Sequence, residues 1–332
     1  MQKTLFLLLF LLLGCKETNP NEIWIYTSTY KDTVADVEPR LKAQFPEMDF
    51  HFYQAGSEEI TAKVNAEMLA GGTKADIFIF SDRFWFEEAA ELGKLHPYRP
   101  KGSENIDPLF KHPDGSYTTV SHPLMVMIYN SDVYNESTAP KSFKEMSDPK
   151  WKDKFATGSP LASGTNFTTV AFLQKLYGWD YFKALRANNT ISEGGNSSVI
   201  RRVQTKERPV GWVLLENVLR LKEDSKIKTI FPEDGAIVQS NVFAIAKKSG
   251  TGKEKSPANA EKVADWFFSK EGQEAMTRSF MYSALPGFPA PKGAKEFKEV
   301  VKTSPKWSPE ILKEIMEKRE EIKEEFTHIM FQ

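Results

Sequence analysis

From residue 22 to residue 82 the apolar pattern of the chain changes period four times. EIWIYTSTY, MDFHFYQAG and ADIFIFSD are short runs rich in β-branched and aromatic residues, each closed by small or polar ones. Such runs read as buried strands. Two helical segments separate them. The first covers about residues 33–45. The second opens at Ser57, read as an N-cap, with Glu58 and Glu59 in its first turn. Ile60, Val64 and Met68 then recur at helical spacing, and Gly71–Gly72 end it. The order is β-α-β-α-β. Apolar strands alternating with helices require a parallel sheet covered on both faces, so this stretch confines the chain to the α/β class.

The alternation then breaks. Residues 96–117 are rich in proline, glycine and charge, and a long apolar strand, PLMVMIYNS, follows. A second α/β set comes next: FATGS as a short strand, a helix over 165–177 stopped by Gly178, a helix near 197–205, and the strands PVGWVLL and IKTIF. SNVFAIAKK is another apolar strand, and the remainder is helical, with Ser308 as N-cap and Pro309 at the first position of the last segment. PLMVMIY and SNVFAIA bracket the second set, which implies a lobe inserted into another through two hinge crossings. The expected division is a first lobe over 23–125, an inserted lobe over 126–240, and 241–332 returning to the first lobe with the C-terminal helices. A cleft between lobes, at the carboxyl ends of parallel strands, is where such a chain binds ligands.

The 332 residues carry a net charge of −1, with no basic excess or stripe. That excludes the electrostatic footprint of a nucleic-acid binder. No two of the five histidines have metal-site spacing, so neither metal nor cofactor is expected. The chain opens MQKTLFLLLFLLLGCKETNP. Lys3 precedes an apolar run from Leu5 to Leu13 that is too short to span a bilayer. Residues 1–14 read as an export signal and 15–22 as a tether. LLGC resembles a bacterial lipobox, which implies lipidation of Cys15 and a membrane anchor. An ordinary signal peptide or a short anchor helix remain alternatives.

Nearly every expected strand end is small and polar. The first strand ends in Thr27, Ser28, Thr29 and Tyr30, and the third in Ser81 and Asp82. In the inserted lobe, Ser163, Gly164, Thr165 and Asn166 precede one helix, and Gly195, Asn196 and Ser197 precede another. Glu216 follows PVGWVLL, and 232–235 follow IKTIF. Hydroxyls at a helix start are common caps. The same groups, with free backbone N–H donors, also form an anion site. Asp82 has the alternative of capping the next helix, Glu216 that of facing solvent, and Arg201 and Arg202 that of lying on a surface.

IYTSTYKDTVADVEPRLKAQFPE, KADIFIFSDRFWFEEAAELGKL, SDPKWKDKFATGSP and VADWFFSKEGQEAM, in this order, resemble the ferric-iron, thiamine and phosphonate branch of the solute-binding proteins of bacterial ABC importers. The resemblance spans nearly all of the chain after the export signal. It implies a two-lobed type II periplasmic binding protein fold, an exported monomer, a small anionic solute, and an ABC permease with its ATPase as partners. Iron binders of the branch carry adjacent tyrosines where this chain has Glu216 and Asn217, which weakens the iron alternative. SPLASGTNFTTV, ANNTISEGGNSSVIRRV and ERPVGWVLLENVL are most similar to the aminoethylphosphonate group. That similarity implies a phosphonate on the Ser163–Thr165 helix start and an ammonium on Glu216 or Asp82. The rival class is a periplasmic phosphatase or hydrolase. GxSxG and HExxH motifs are missing, and SGTGK at Ser249 lacks the upstream glycine of a P-loop, so no catalytic residue is expected. A third class is a lipid-anchored sensor or adhesion protein of the same fold.

Overall fold

A computed structural model describes residues 19–248 and 256–332. The export signal, Cys15 and the SGTGK segment lie outside the described residues.

The first lobe begins β1 (Glu22–Thr27), α1 (Lys31–Gln44), β2 (Asp49–Gln54), α2 (Ser57–Leu69), β3 (Ile77–Phe80), α3 (Arg83–Glu91) and a short β4 (Leu95–His96). β1 pairs in parallel with both β2 and β3. After β5 (Thr118–His122) the chain crosses at Pro123 into β6 (Leu124–Asn130) of a second sheet. The second lobe continues with β7 (Phe155–Thr157), α4 (Gly164–Ala187), β8 (Ile191–Ser192), α5 (Asn196–Gln204), β9 (Val210–Leu214), α6 (Leu215–Leu219), β10 (Ile227–Ile230) and β11 (Ile237–Val238). Gln239 and Ser240 carry the chain back to β12 (Asn241–Ala246), α7 (Ala258–Phe267), α8 (Lys270–Arg278) and β13 (Tyr282–Ser283). The two crossings are tied to each other, Gln239 N–H donating to the Pro123 carbonyl at 2.8 Å.

The first sheet runs β13-β5-β12-β3-β1-β2, with β4 also on β12. The second runs β10-β6-β9-β7-β8, with β11 also on β6. The crossing strands enter against their neighbours: β12 is antiparallel to β3 and β5, and β6 to β9. Both sheets are therefore mixed, with parallel pairs confined to β1–β3 and β7–β9.

After β13 the chain passes a third time between lobes. The last helices are α9 (Phe297–Val300), α10 (Pro309–Glu317) and α11 (Arg319–Phe331). Ile322, Phe326 and Met330 of α11 join the second lobe's core with Phe167, Phe172 and Phe182 of α4, and Ile315 and Trp307 join it too. Phe84 of α3 belongs to the same cluster, so this core bridges the lobes. Gly178 takes φ 71°, ψ −179°, a left-handed value that kinks α4, and the helix resumes beyond it. Ser308 caps α10 through Ile311 N–H, with Pro309 in the first turn. Ser57 is not a cap. Gly56 takes the N-cap position, and Ser57 is the first helical residue.

Candidate functional site

A cavity of about 220 Å³ lies where the two lobes meet. Its walls are helix starts. Ser28, Thr29 and Tyr30 lead into α1, with Tyr30 as N-cap. Ala55, Gly56 and Ser57 open α2. Ala162, Ser163 and Thr165 open α4, and Gly195, Asn196 and Ser197 open α5. The first N–H groups of a helix have no intrahelical acceptor, and the dipole makes that end positive. Four helices of nine or more residues thus turn their positive ends toward one small volume. Ser81, Leu214, Glu216, Asn241 and Met281 complete the lining. Among the described residues that line it there is no lysine or arginine, and Glu216 alone bears an ionisable carboxylic acid.

The hydroxyls are held in place. Ser163 Oγ lies 3.0 Å from Thr165 Oγ1, and Asn196 Nδ2 donates to Thr165 Oγ1 at 3.4 Å. Thr27 is buried and does not line the cavity. Its Oγ1 is 2.7 Å from Thr29 Oγ1 and accepts Thr29 N–H at 3.1 Å, which orients Thr29. Asn166 also lies behind the wall, fully buried, linking Asn196 to the Trp212 indole N–H. Ser81 Oγ donates to Asn241, whose Nδ2 donates to Ser121 Oγ at 3.0 Å.

Four expected contacts are corrected, Thr27 and Asn166 as just described and Asp82 and Gly164 as well. Asp82 is fully buried and outside the cavity. One of its oxygens accepts Trp85 N–H as the cap of α3, and the other takes the Arg319 guanidinium, so it is not available to an ammonium. Gly164 does not line the cavity either. A Cβ there would stand 2.5 Å from the Ser81 carbonyl oxygen, so this glycine is where the second lobe closes on the first. Of the other polar candidates, Arg202 is buried against Glu193 and Glu207, and Asp234 accepts from Phe143 N–H, Lys144 N–H and the Tyr177 hydroxyl. β10 is the edge strand, with β6 between it and β9, which keeps 232–235 away from the cavity.

Glu216 is 1% exposed, and no side chain among the described residues hydrogen-bonds to its carboxyl group. Burial pushes that group up to about 7, against the pull of its own backbone N–H and of Arg220. Burial, reinforced by the Glu216 charge, holds the Tyr30 phenol well above its usual range. Beneath them Arg220 spans the lobes. It pairs with Asp32 at 2.8 Å, donates to the Ser279 carbonyl at 2.6 Å, and lies 4.0 Å from the Tyr30 ring centroid.

A second clasp stands behind Ser57 and Ser81. Arg319 contacts Glu58 at 3.1 Å as well as Asp82, and Lys323 reaches Glu58 at 2.8 Å. Burial and the Asp82 charge raise the Glu58 carboxyl group, opposed by Arg319 and Lys323. Arg319→Met would leave two buried carboxylates facing each other. Breaking such a cluster costs about 3–5 kcal/mol. A urea titration is expected to show that loss, and adding Asp82→Asn to restore part of it.

The model of the family described as bacterial extracellular solute-binding protein matches residues 72–309. An uncharacterized protein of Haemophilus influenzae is 26% identical over 235 residues, 67% of this chain, and the chain spans 66% of that relative's length. Iron-bound HitA of Pseudomonas aeruginosa superposes with a TM-score of 0.79 at 20% identity, covering 92% of this chain and 99% of that one. AfuA of Actinobacillus pleuropneumoniae, with fructose-6-phosphate bound, gives 0.78 at 20% identity, covering 93% and 98%. At these identities the likeness shows the fold, a two-lobed type II binding protein.

Proposed function

Because the chain belongs to the bacterial extracellular solute-binding proteins, we propose that its interlobe cavity captures a small organic anion with a phosphonate or phosphate head, 2-aminoethylphosphonate being the leading candidate, for uptake by an ABC permease and its ATPase. The observation that carries this is the convergence of four helix N-termini and their hydroxyls on one cavity. Phosphonyl oxygens accept hydrogen bonds and carry negative charge, which is what that wall offers. The head group takes N–H groups at the starts of α4 and α5 and the hydroxyls of Ser163, Thr165 and Ser197. Ser28 and Thr29 close from the other lobe. Glu216 receives an ammonium at the far end. A volume of about 220 Å³ is below the ~300 Å³ at which drug-sized pockets begin, favouring a solute of few heavy atoms. The closed form gains only what the solute contributes to it beyond the open form, so contacts to both lobes drive closure. No step of chemistry is required of the chain. Anchored through Cys15 outside the cytoplasmic membrane, the monomer then delivers its solute.

The test is native mass spectrometry of the protein from Lys16 onward against 2-aminoethylphosphonate, a sugar phosphate, inorganic phosphate and ferric citrate. Selective retention of the aminophosphonate is expected. Retention of iron with no response to phosphonates would replace this reading with a metal site on Tyr30 and Glu216. A second expectation concerns the cradle. Ser163→Ala with Thr165→Ala removes two charge-assisted contacts of about 1.5–3 kcal/mol each. Calorimetry should therefore show at least about a hundredfold loss of phosphonate affinity. An unchanged affinity would remove the head group from α4.

A further inference from the structure

A second cavity, of about 370 Å³, shares no lining residue with the first. Its position is set by the connections between lobes. His122 ends β5 just before the first crossing, Val238 ends β11 just before the second, and Trp307 lies on the third passage. Phe110 and Phe297 complete an aromatic wall. The His122 ring stacks on Phe297 with centroids 5.3 Å apart and planes at 14°, and meets Phe110 edge-on at 4.5 Å. Asp107 and Lys306 are exposed at the rim with opposite charges. The volume is within the ~300–1,000 Å³ of small-molecule sites.

One polar atom gives this cavity a preference. His122 is 3% exposed, and its Nδ1 lies 3.2 Å from the Gln239 carbonyl oxygen. A carbonyl only accepts, so Nδ1 carries the hydrogen and Nε2 is left as an acceptor. No protein group among the described residues donates to Nε2. Burial pushes the imidazole down to about 4, so it is neutral at physiological pH. The Trp307 indole N–H is already used, donating to the Val238 carbonyl at 3.1 Å, and the ring offers only apolar surface.

We infer that this cavity is a second small-molecule site, taking an uncharged aromatic ring compound with a single hydrogen-bond donor that reaches His122 Nε2. Its walls belong to all three passages between the lobes, so an occupant resists their relative motion and biases closure over the solute site. The inference is independent of which solute that site takes.

Indole and 1-methylindole are the probes, because they differ at the one donor. On the wild-type protein, indole is expected to shift the Trp307 Nε1–H and the His122 Nε2 nitrogen resonances in a saturable way. 1-Methylindole leaves the acceptor unpaired and is expected to bind about tenfold or more weakly. His122→Phe keeps the ring contacts and is expected to bind both alike. Saturating indole is expected to change the radius of gyration in solution scattering. No saturable shift at Trp307, equal wild-type affinities for the two probes, or an indole preference surviving in His122→Phe would each overturn the site. Unchanged scattering with indole bound would overturn its link to closure. The wild-type comparison decides the site even where the variant does not fold.

Discussion

Gly164→Ala is expected to hold the two lobes apart while leaving each lobe folded. Gly164 is the first residue of α4, and an added Cβ would stand 2.5 Å from the Ser81 carbonyl oxygen and 3.0 Å from the Asp82 Cβ. The obstructing atom is backbone at the end of a buried strand, which has no rotamer to change. Gly56, whose Cβ would meet the Ala162 carbonyl at 3.2 Å, marks a second close approach between the lobes. The three atoms nearest that Cβ all belong to Ser81 and Asp82 of the first lobe, so nothing the second lobe contributes opposes it. The clash is between the lobes, so moving them apart would relieve it. Overpacking of this kind costs about 1–3 kcal/mol, and relief by opening converts that cost into a lower population of the closed form. Solute affinity should fall about ten- to a hundredfold, the radius of gyration should rise, and the thermal midpoint of the ligand-free protein should stay level or increase. A fall in that midpoint with no change in scattering would mean that Gly164 serves packing within its lobe.

Glu216→Gln is expected to stabilise the ligand-free protein at neutral and higher pH and to weaken its hold on a cationic group. The Glu216 carboxyl group sits at about 7 when folded, against an ordinary value of 4.5. A raised carboxyl binds a proton in the folded state that the unfolded chain has released, so stability falls as pH rises from about 4.5 and levels off above about 7. That displacement corresponds to about 3 kcal/mol. The wild-type protein should lose this amount between pH 4 and pH 8 relative to the glutamine variant. The two should coincide near pH 4. Binding follows the opposite sense, because an ammonium needs the ionised carboxylate. Affinity for 2-aminoethylphosphonate should drop about tenfold for each unit below pH 7, relative to the amine-free ethylphosphonate. Glutamine at 216 should abolish the difference between the two ligands. Equal weakening of both by Glu216→Gln would place the ammonium elsewhere.

The strand and helix order of the first lobe was legible because its strands are rich in β-branched and aromatic residues and are bounded by small or polar ones. EIWIYT, DFHFYQ and IFIF form β1 to β3, in the spatial order β2-β1-β3. The same regularity exposed most of the cavity: Ser28, Thr29, Tyr30, Ser81, Ser163, Thr165, Gly195, Asn196, Ser197 and Glu216 all line it. Thr27, Asp82, Gly164 and Asn166 stand one residue to either side of lining residues and do not line it. Sequence adjacency cannot distinguish a side chain that points into a cleft from one that caps a helix behind it.

Asn241 was missed for a physical reason. β12 enters antiparallel to β3, with Val242 opposite Phe80. An antiparallel strand presents its first residue at the edge where parallel neighbours present their last, so Asn241 comes to lie beside Ser81. Searching only strand ends overlooks it. Gly56 gave no signal because a glycine N-cap has no side chain to recognise, and the serine after it is the more familiar cap. The clasp of Arg319 and Lys323 on Glu58 and Asp82 joins residues more than 230 positions apart. In the sequence it is only part of a charge run on a C-terminal helix.

The central claim, that the helix starts hold a phosphonyl head and Glu216 the opposite end, is tested most directly by a crystal structure of the protein with 2-aminoethylphosphonate. The account predicts phosphonyl oxygens within hydrogen-bond distance of N–H groups at the starts of α4 and α5 and of the Ser163 and Thr165 hydroxyls, with the amine against Glu216. A phosphonate bound elsewhere, or a metal held by Tyr30 and Glu216 in its place, would contradict it.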